Sequence, residues 1–373
     1  MSVIEPPPDP REFGNELVSA QAFADLPRIH RVLARLRRHG RPLWVTPDNY
    51  RPFWAVGRHA QVVEASSDNA LFISSRRLNL MSRLQEAAAF KGAERYGRVL
   101  RTLVHMDEPD HKKYRAVAQY WFTAAAVKRQ QTILEALARE FSAHFDSARN
   151  GEIDFAAEIA TLFPLRVIMV ILGIPLEDLP LMHRLTKTLS APNDPDFSSD
   201  TARGDSMFDS IPEFTDYFLK VIADRRRQPR DDLASVIANG SIDGGPLGEL
   251  EAVSYFITLA VAGHDTTAAA LAGGCEALAL YYLSANFDDQ VFREPLEFRI
   301  DRNPNKQIAF GFGPHVCLGM ALSRLELTTW FGEMLRRVDA LEMAGPVRLL
   351  ESNFLGGYKS VPIRCTLAGG AKR

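Results

Sequence analysis

Cysteine is scarce in this chain: Cys275, Cys317 and Cys365 are all there is among 373 residues. So small and odd a set gives no disulfide framework and fits a reducing compartment. The spacing matches no zinc site of the paired-cysteine kind, so each cysteine is read alone. Excess charge is also lacking. With 44 Lys and Arg against 46 Asp and Glu, the net charge is -2. That balance argues against a general binder of nucleic acid or of membrane surfaces. Long uncharged apolar runs are missing too. The opening MSVIEPPPDPREFG has no basic segment followed by an apolar one, so it is not read as a secretory signal or membrane anchor. The run Leu162–Gly173 is too short to span a bilayer and carries Arg166. The longest apolar stretch, Ala252–Leu280, contains His264, Asp265 and Glu276 and reads as a buried helix. Cytoplasmic location is the default. There is no internal repeat and no low-complexity segment.

What remains is the composition of an ordinary globular protein. At 46% hydrophobic and 24% charged, the chain can build a core able to enclose a large ligand. The periodicity predicts mainly α structure with a minor β region. Apolar residues at helical spacing place a helix at Leu26–His39. Trp44-Val45 and Phe53–Val56 flank a Pro47-Asp48-Asn49 turn and read as a hairpin, followed by a short helix at Arg58–Ser67. Further helices are expected from Pro109, over Val127–Ala148, Phe155–Leu172 and Met207–Arg227, in one long element at Leu247–Leu280, and over Arg324–Arg337. Ser190–Asp205 and Asn239–Pro246 read as loops. Two short strands are expected around Gly356-Gly357. Nothing marks a domain boundary, so residues 1–373 are read as a single domain.

Two segments depart from these local rules. The first is Phe310-Gly311-Phe312-Gly313-Pro314-His315-Val316-Cys317-Leu318-Gly319. Its glycines let backbone amides approach the cysteine sulfur, and a helix-forming stretch begins directly after it. A thiolate there is expected to have a lowered pKa, because orphan amides and the helix dipole favour negative charge. A single cysteine suits haem, where the porphyrin supplies four ligands, and does not suit zinc. The second is Ala262-Gly263-His264-Asp265-Thr266-Thr267, poor helix formers in the middle of an apolar helix. Threonine can bond a carbonyl of the preceding turn and open the helix there. Cys275 and Cys365 are read as buried packing residues.

The cysteine segment resembles the haem-binding loop of the cytochrome P450 family, Phe-x-x-Gly-x-x-x-Cys-x-Gly, through Phe310, Gly313, Cys317 and Gly319. The resemblance implies the single-domain P450 fold and haem b (heme b, iron protoporphyrin IX) with Cys317 as the iron ligand. It also implies cofactor contacts from Phe310, Gly311 and His315, with His315 facing a propionate. The second segment resembles the family's oxygen-binding motif. By that match Thr266 would hydrogen-bond the bound oxygen and Asp265 would help deliver protons, with Ala262 and Gly263 leaving space above the iron. His111 and Arg115, four residues apart on one helix face, resemble the family's propionate-binding pair. Arg302 is a further candidate. Ala285-Asn286-Phe287-Asp288 resembles the segment leading to the cysteine loop, although Phe287 stands where the family usually has Arg.

One landmark is missing. No Glu-x-x-Arg occurs between Thr267 and Cys317. Glu333-x-x-Arg336 lies beyond the cysteine and reads as an ordinary surface pair. Several tens of residues are absent at about 280/281 relative to the family pattern, which implies either a segment omitted from this sequence or a truly shortened gene. The implied activity is insertion of one oxygen atom from O2 into a lipophilic small molecule, terpenoid, steroid or fatty-acid-like, with two electrons from a ferredoxin or flavodoxin with its reductase. Lys112, Lys113 and Arg324 could serve that docking. Pocket walls are expected from Phe72–Phe90, Phe163–Leu179, Leu259-Ala260-Ala262 and Asn353–Tyr358. The rival expectations are a haem-thiolate protein without turnover and a truncated pseudoenzyme that cannot keep haem.

Overall fold

The computed structural model describes residues 8–75, 80–87, 101–148, 151–190, 194, 196, 206–265, 277–353 and 356–368. Helix α1 (Leu26–His39) starts at an Asp25 cap and ends on Gly40 in the left-handed conformation, burying Ile29, Val32, Leu33 and Leu36 as the periodicity requires. Strands β1 (Leu43–Val45) and β2 (Phe53–Val56) form the expected hairpin, with Leu43 opposite Ala55. Asn49 takes a positive φ of 62° in the turn, a conformation asparagine tolerates. Helix α2 (His59–Ser67) follows.

The helical body comes next. It contains α3 (Asp110–Gln119), α4 (Gln131–Ser142), the short strand β3 (Glu152–Asp154), α5 (Leu162–Leu172), α6 (Leu179–Ser190) and α7 (Ser206–Arg227). The helix expected over 127–148 is three pieces, broken at Gln130 and Ala143. That expected over 155–172 begins as a wide turn at Phe155–Ala160. Phe155–Leu172 is long and apolar enough to cross a membrane by length and composition, but half of it is buried inside the protein. The loop expected at 190–205 lies almost wholly outside the described residues. That at 239–246 is a two-stranded turn, with Ser241 opposite Pro246.

Helix α8 (Glu249–Asp265) runs through the body's centre. Ala252, Val253, Tyr255 and Phe256 are buried on successive faces, and α5, α6 and α7 pack around it. The expected continuation to Leu280 is corrected here. Ala277–Leu280 is strand β4, parallel to β2, with Phe53 opposite Ala277 and Val56 opposite Leu280. The Tyr281 N–H continues the ladder by donating to the Val56 carbonyl at 2.9 Å. An apolar Ala-Leu-Ala-Leu run fits either a buried helix or a buried strand, and the waiting edge of β2 decides it. The chain therefore crosses 280/281 inside one continuous arrangement, and any junction with the preceding helix lies before Ala277.

Helix α9 (Tyr282–Ala285) leads to the loop before the cysteine. After the cysteine come α10 (Met320–Arg337) and β5 (Val338–Met343). Strands β6 (Arg348–Leu349) and β7 (Tyr358–Ser360) form the hairpin expected around Gly356-Gly357. Strand β8 (Pro362–Leu367) lies between β3 and β5 in an antiparallel sheet, with Cys365 buried in it. Cys275 lies outside the described residues. Glu333 and Arg336 make the anticipated surface pair at 2.8 Å.

Candidate haem site

The cysteine loop is held at both ends. At its start, the Asn286 side chain accepts from the Ile308 N–H at 2.8 Å. Asp288, almost fully buried, accepts from the His59 N–H and binds Arg58, which ties the segment to α2. Phe287 packs edge-on against His30, with centroids 4.4 Å apart. At its end, the Cys317 N–H donates to the Phe310 carbonyl at 2.8 Å and closes the loop. Gly311 and Gly313 have φ values of 76° and 72°, the left-handed region where a side chain is strained. The turn Gly313–His315 rests against the C-terminal end of α2.

The expected direction for the cysteine is overturned. Burial pushes the Cys317 thiol above its usual range, and the Gly319 amide and the Arg115 guanidinium pull it only part of the way back. The helix-terminus effect is present, but desolvation of a lone anion outweighs it. Metal coordination favours the thiolate form of such a sulfur.

Beside it stands a group of basic side chains. The Arg115 guanidinium donates to the Val316 carbonyl at 2.9 Å, so α3 reaches the residue next to the cysteine. The rings of His111 and His315 lie 4.1 Å apart at 34°. Burial, together with the positive charge of Arg115, holds His111 below its ordinary range. Burial, with His111 and Arg115 nearby, takes His315 down to about 4. Three groups able to carry positive charge thus crowd together. Among the described residues, the carboxylate paired with them is Glu108, 3.6 Å from His111. Asp107 is occupied by the Ser74 and Ser75 amides. This is the donor set for a dianionic ligand lying next to a thiolate, and haem with its two propionates fits it. Arg302 does not join the group. Its guanidinium caps the carbonyls of Arg293, Glu294 and Glu297, because the turn before the cysteine loop presents those acceptors at closer range.

Ser254 and Thr258 on α8 bond back to the carbonyls of Leu250 and Ser254. Leu259 and Ala260 are buried, yet Ala262 is exposed, so the cover on this helix ends where the sequence turns to small residues. Gly263 and Asp265 close α8 in backbone terms, and Thr266 lies outside the described residues. Phe163, expected in a pocket wall, is instead core. It packs on Phe141 and Trp330 with centroids 5.7 and 5.4 Å away.

Glu326 on α10 was missed by sequence reasoning, since a glutamate on an amphipathic helix reads as solvated. Burial raises its pKa from 4.5 to about 8. The folded protein therefore keeps a proton that the unfolded chain releases. Its contribution to stability is complete below pH 4.5 and is lost as the pH rises through about 8. The thermal midpoint should fall between about pH 5 and pH 9, and Glu326→Gln should flatten that fall. An unchanged slope in the variant would assign the dependence to another group.

Residues 276–353 match the family model described as Cytochrome P450. Cytochrome P450-terp of a Pseudomonas species is 29% identical over 426 residues, covering 96% of this chain and 98% of that protein. The steroid C26-monooxygenase of Mycolicibacterium smegmatis is 30% identical over 321 residues, 70% of this chain and 78% of the relative. The crystal structure of CYP108D1 from Novosphingobium aromaticivorans superposes with a TM-score of 0.84 at 31% identity, covering 97% of this chain and all of the other. The fold is that of the haem-thiolate enzymes. The chain belongs to the cytochrome P450 family: it is a monooxygenase that uses haem b and O2 and draws electrons from a redox partner.

Proposed function

We propose that residues 1–373 act as one unit that hydroxylates a lipophilic small molecule, with Cys317 as the thiolate ligand of the haem iron. The observation that carries this is the Cys317 loop, closed by the Phe310 carbonyl and joined to α3 through Arg115 and Val316. His111, Arg115 and His315 would hold the propionates, and Phe310 and Gly311 would contact the cofactor. Ala262 and Gly263 would leave it space. Bound there, haem would supply the oxygen-activating chemistry. Thr266 would donate a hydrogen bond to the oxygen substrate, and Asp265 would hold and pass on a proton. Relatives named for steroids and for methyl-branched lipids support a terpenoid, steroid or fatty-acid-like substrate. A cytoplasmic ferredoxin or flavodoxin with its reductase delivers the electrons. For that docking Lys112 is exposed, Lys113 pairs with Asp243 at 2.5 Å, and Arg324 lies over the Phe310 ring at 5.7 Å.

We also propose that a covering segment has been deleted between α8 and β4. The alignment with Cytochrome P450-terp runs over 426 residues although the chain has 373, so at least 53 aligned positions face gaps in this chain. Between β4 and the cysteine loop, Leu296, Phe298 and Ile300 are 72, 94 and 92% exposed, an alternating apolar strip that a packed neighbour would cover. This favours weak haem retention as the second reading.

A carbon monoxide difference spectrum of the reduced protein tests both. A thiolate-type Soret band supports the enzyme, and its absence after haem supplementation supports the truncated, haem-free reading. In the loaded enzyme, Thr266→Ala should send most electrons to peroxide; unchanged coupling removes Thr266 from the mechanism.

A further inference from the structure

Helix α10 is apolar on two faces. One face buries Leu322, Trp330 and Met334 and packs on α4. On the other, Leu327, Phe331 and Leu335 are 52, 46 and 72% exposed. Their spacing of four residues stacks them on one side of the helix, in a stripe about 12 Å long. Arg324 is exposed at the start of the same side. Thr328 is exposed beside the stripe, but its hydroxyl donates to the Arg324 carbonyl at 2.8 Å, so its polar group is already satisfied. The charges at the far end are paired within the chain. Arg336 binds Glu333 at 2.8 Å, and Arg337 binds Asp146.

A helix apolar on two faces calls for cover on both. A membrane surface selects an apolar stripe bordered by many lysines and arginines. This stripe has instead a single-sign charge at each end: Arg324 before it, and the exposed Asp339 and Glu342 of β5 after it. Such a face is complementary to itself. A two-fold axis at Phe331 makes the helices antiparallel, stacks Phe331 on its copy and sets Leu327 against Leu335 of the second copy. Arg324, about 10 Å before the axis, then approaches Asp339 of the second copy, about 15 Å beyond it. An extended arginine side chain spans that difference. Arg324 rests over the Phe310 ring and forms no ion pair among the described residues, and neither does Asp339.

We propose that two copies of this chain pair through α10, antiparallel about Phe331, in a dimer closed by two ion pairs between Arg324 and Asp339. The dimer goes beyond the haem-site reading and does not depend on it. So short a stripe supports a weak dimer, with a Kd of about 1–100 µM. Sedimentation velocity of the full chain across about that concentration range should show monomer passing to dimer. Leu335→Lys should raise Kd at least about 30-fold. Its circular dichroism should match the parent, because the side chain already faces water. Asp339→Arg brings like charges together and should raise Kd about 10-fold; adding Arg324→Asp reverses both charges and should return Kd to the parent value. A chain that stays monomeric throughout overturns the interface, as does a folded Leu335→Lys that dimerises like the parent. Growth beyond dimer overturns the two-fold closure. A double variant that is folded and as weak as Asp339→Arg alone overturns the antiparallel register. Binding to phosphatidylserine vesicles that Leu335→Lys loses, without self-association, overturns the dimer in favour of a membrane. A dimer that takes up no haem would sink the functional reading and leave this one standing.

Discussion

Cys317→Ser should abolish the thiolate-type Soret band of the reduced, carbon monoxide-treated protein while leaving the polypeptide folded. Serine keeps the main-chain bond to the Phe310 carbonyl, so the loop that Gly311 and Gly313 shape persists. What goes is the only sulfur on that loop. The new hydroxyl is smaller, does not ionise at neutral pH, and sits where burial already opposes a lone anion. The expected change in the stability of the haem-free chain is no more than about 1–2 kcal/mol, that of a poorly partnered polar group. Circular dichroism and the thermal midpoint check the fold, and the difference spectrum checks the ligand. A surviving thiolate band would place the iron on another cysteine.

Gly313→Ala should be the more damaging change to the fold, although it adds one methyl group. The residue has φ +72°, and a Cβ there would lie 2.0 Å from the Ser66 carbonyl oxygen and 2.9 Å from its carbon. Both are backbone atoms of α2 and have no rotamer to escape into. Left-handed strain of about 1–2 kcal/mol adds to overpacking of about 1–3 kcal/mol, so a loss of roughly 2–5 kcal/mol is expected. The loop must lift off α2, and haem retention should fall with it. Gly332→Ala is the contrasting case. In α10 a Cβ at that position has nothing within 4 Å, and replacing a helical glycine should raise stability by about 0.8–1 kcal/mol. Thermal midpoints of the two variants should move in opposite directions. Equal shifts would remove the contact with Ser66 as the cause.

The helical body and the first hairpin were legible because their signals are local. Leu26–His39 has apolar spacing, an aspartate cap and a terminal glycine, and Asn49 supplies the turn. The cysteine loop was legible because its chemistry needs residue types at fixed spacing. What could not be read depends on distant partners. Ala277–Leu280 is a strand because Phe53–Val56 offers it an edge. Arg302 turns to carbonyls that its own turn presents. The direction of the Cys317 shift and the raised pKa of Glu326 come from burial. Periodicity gives the face of a helix, not the depth to which a neighbour buries it.

The parallel pairing of β2 with β4 also sets an order of assembly. Parallel neighbours cannot be joined by a tight turn, and here 220 residues separate Val56 from Ala277. The hairpin of β1 and β2 can close within its own stretch of chain, but its third strand is synthesised only after the whole helical body. Contacts this distant in sequence are slow to form, because the entropy of closing so long a loop comes before the ladder offsets it. Until then the outer edge of β2 stands open. The segment that leads directly into the cysteine loop, from β4 through Asn286, therefore takes its place late, after the helices that flank α8 have packed.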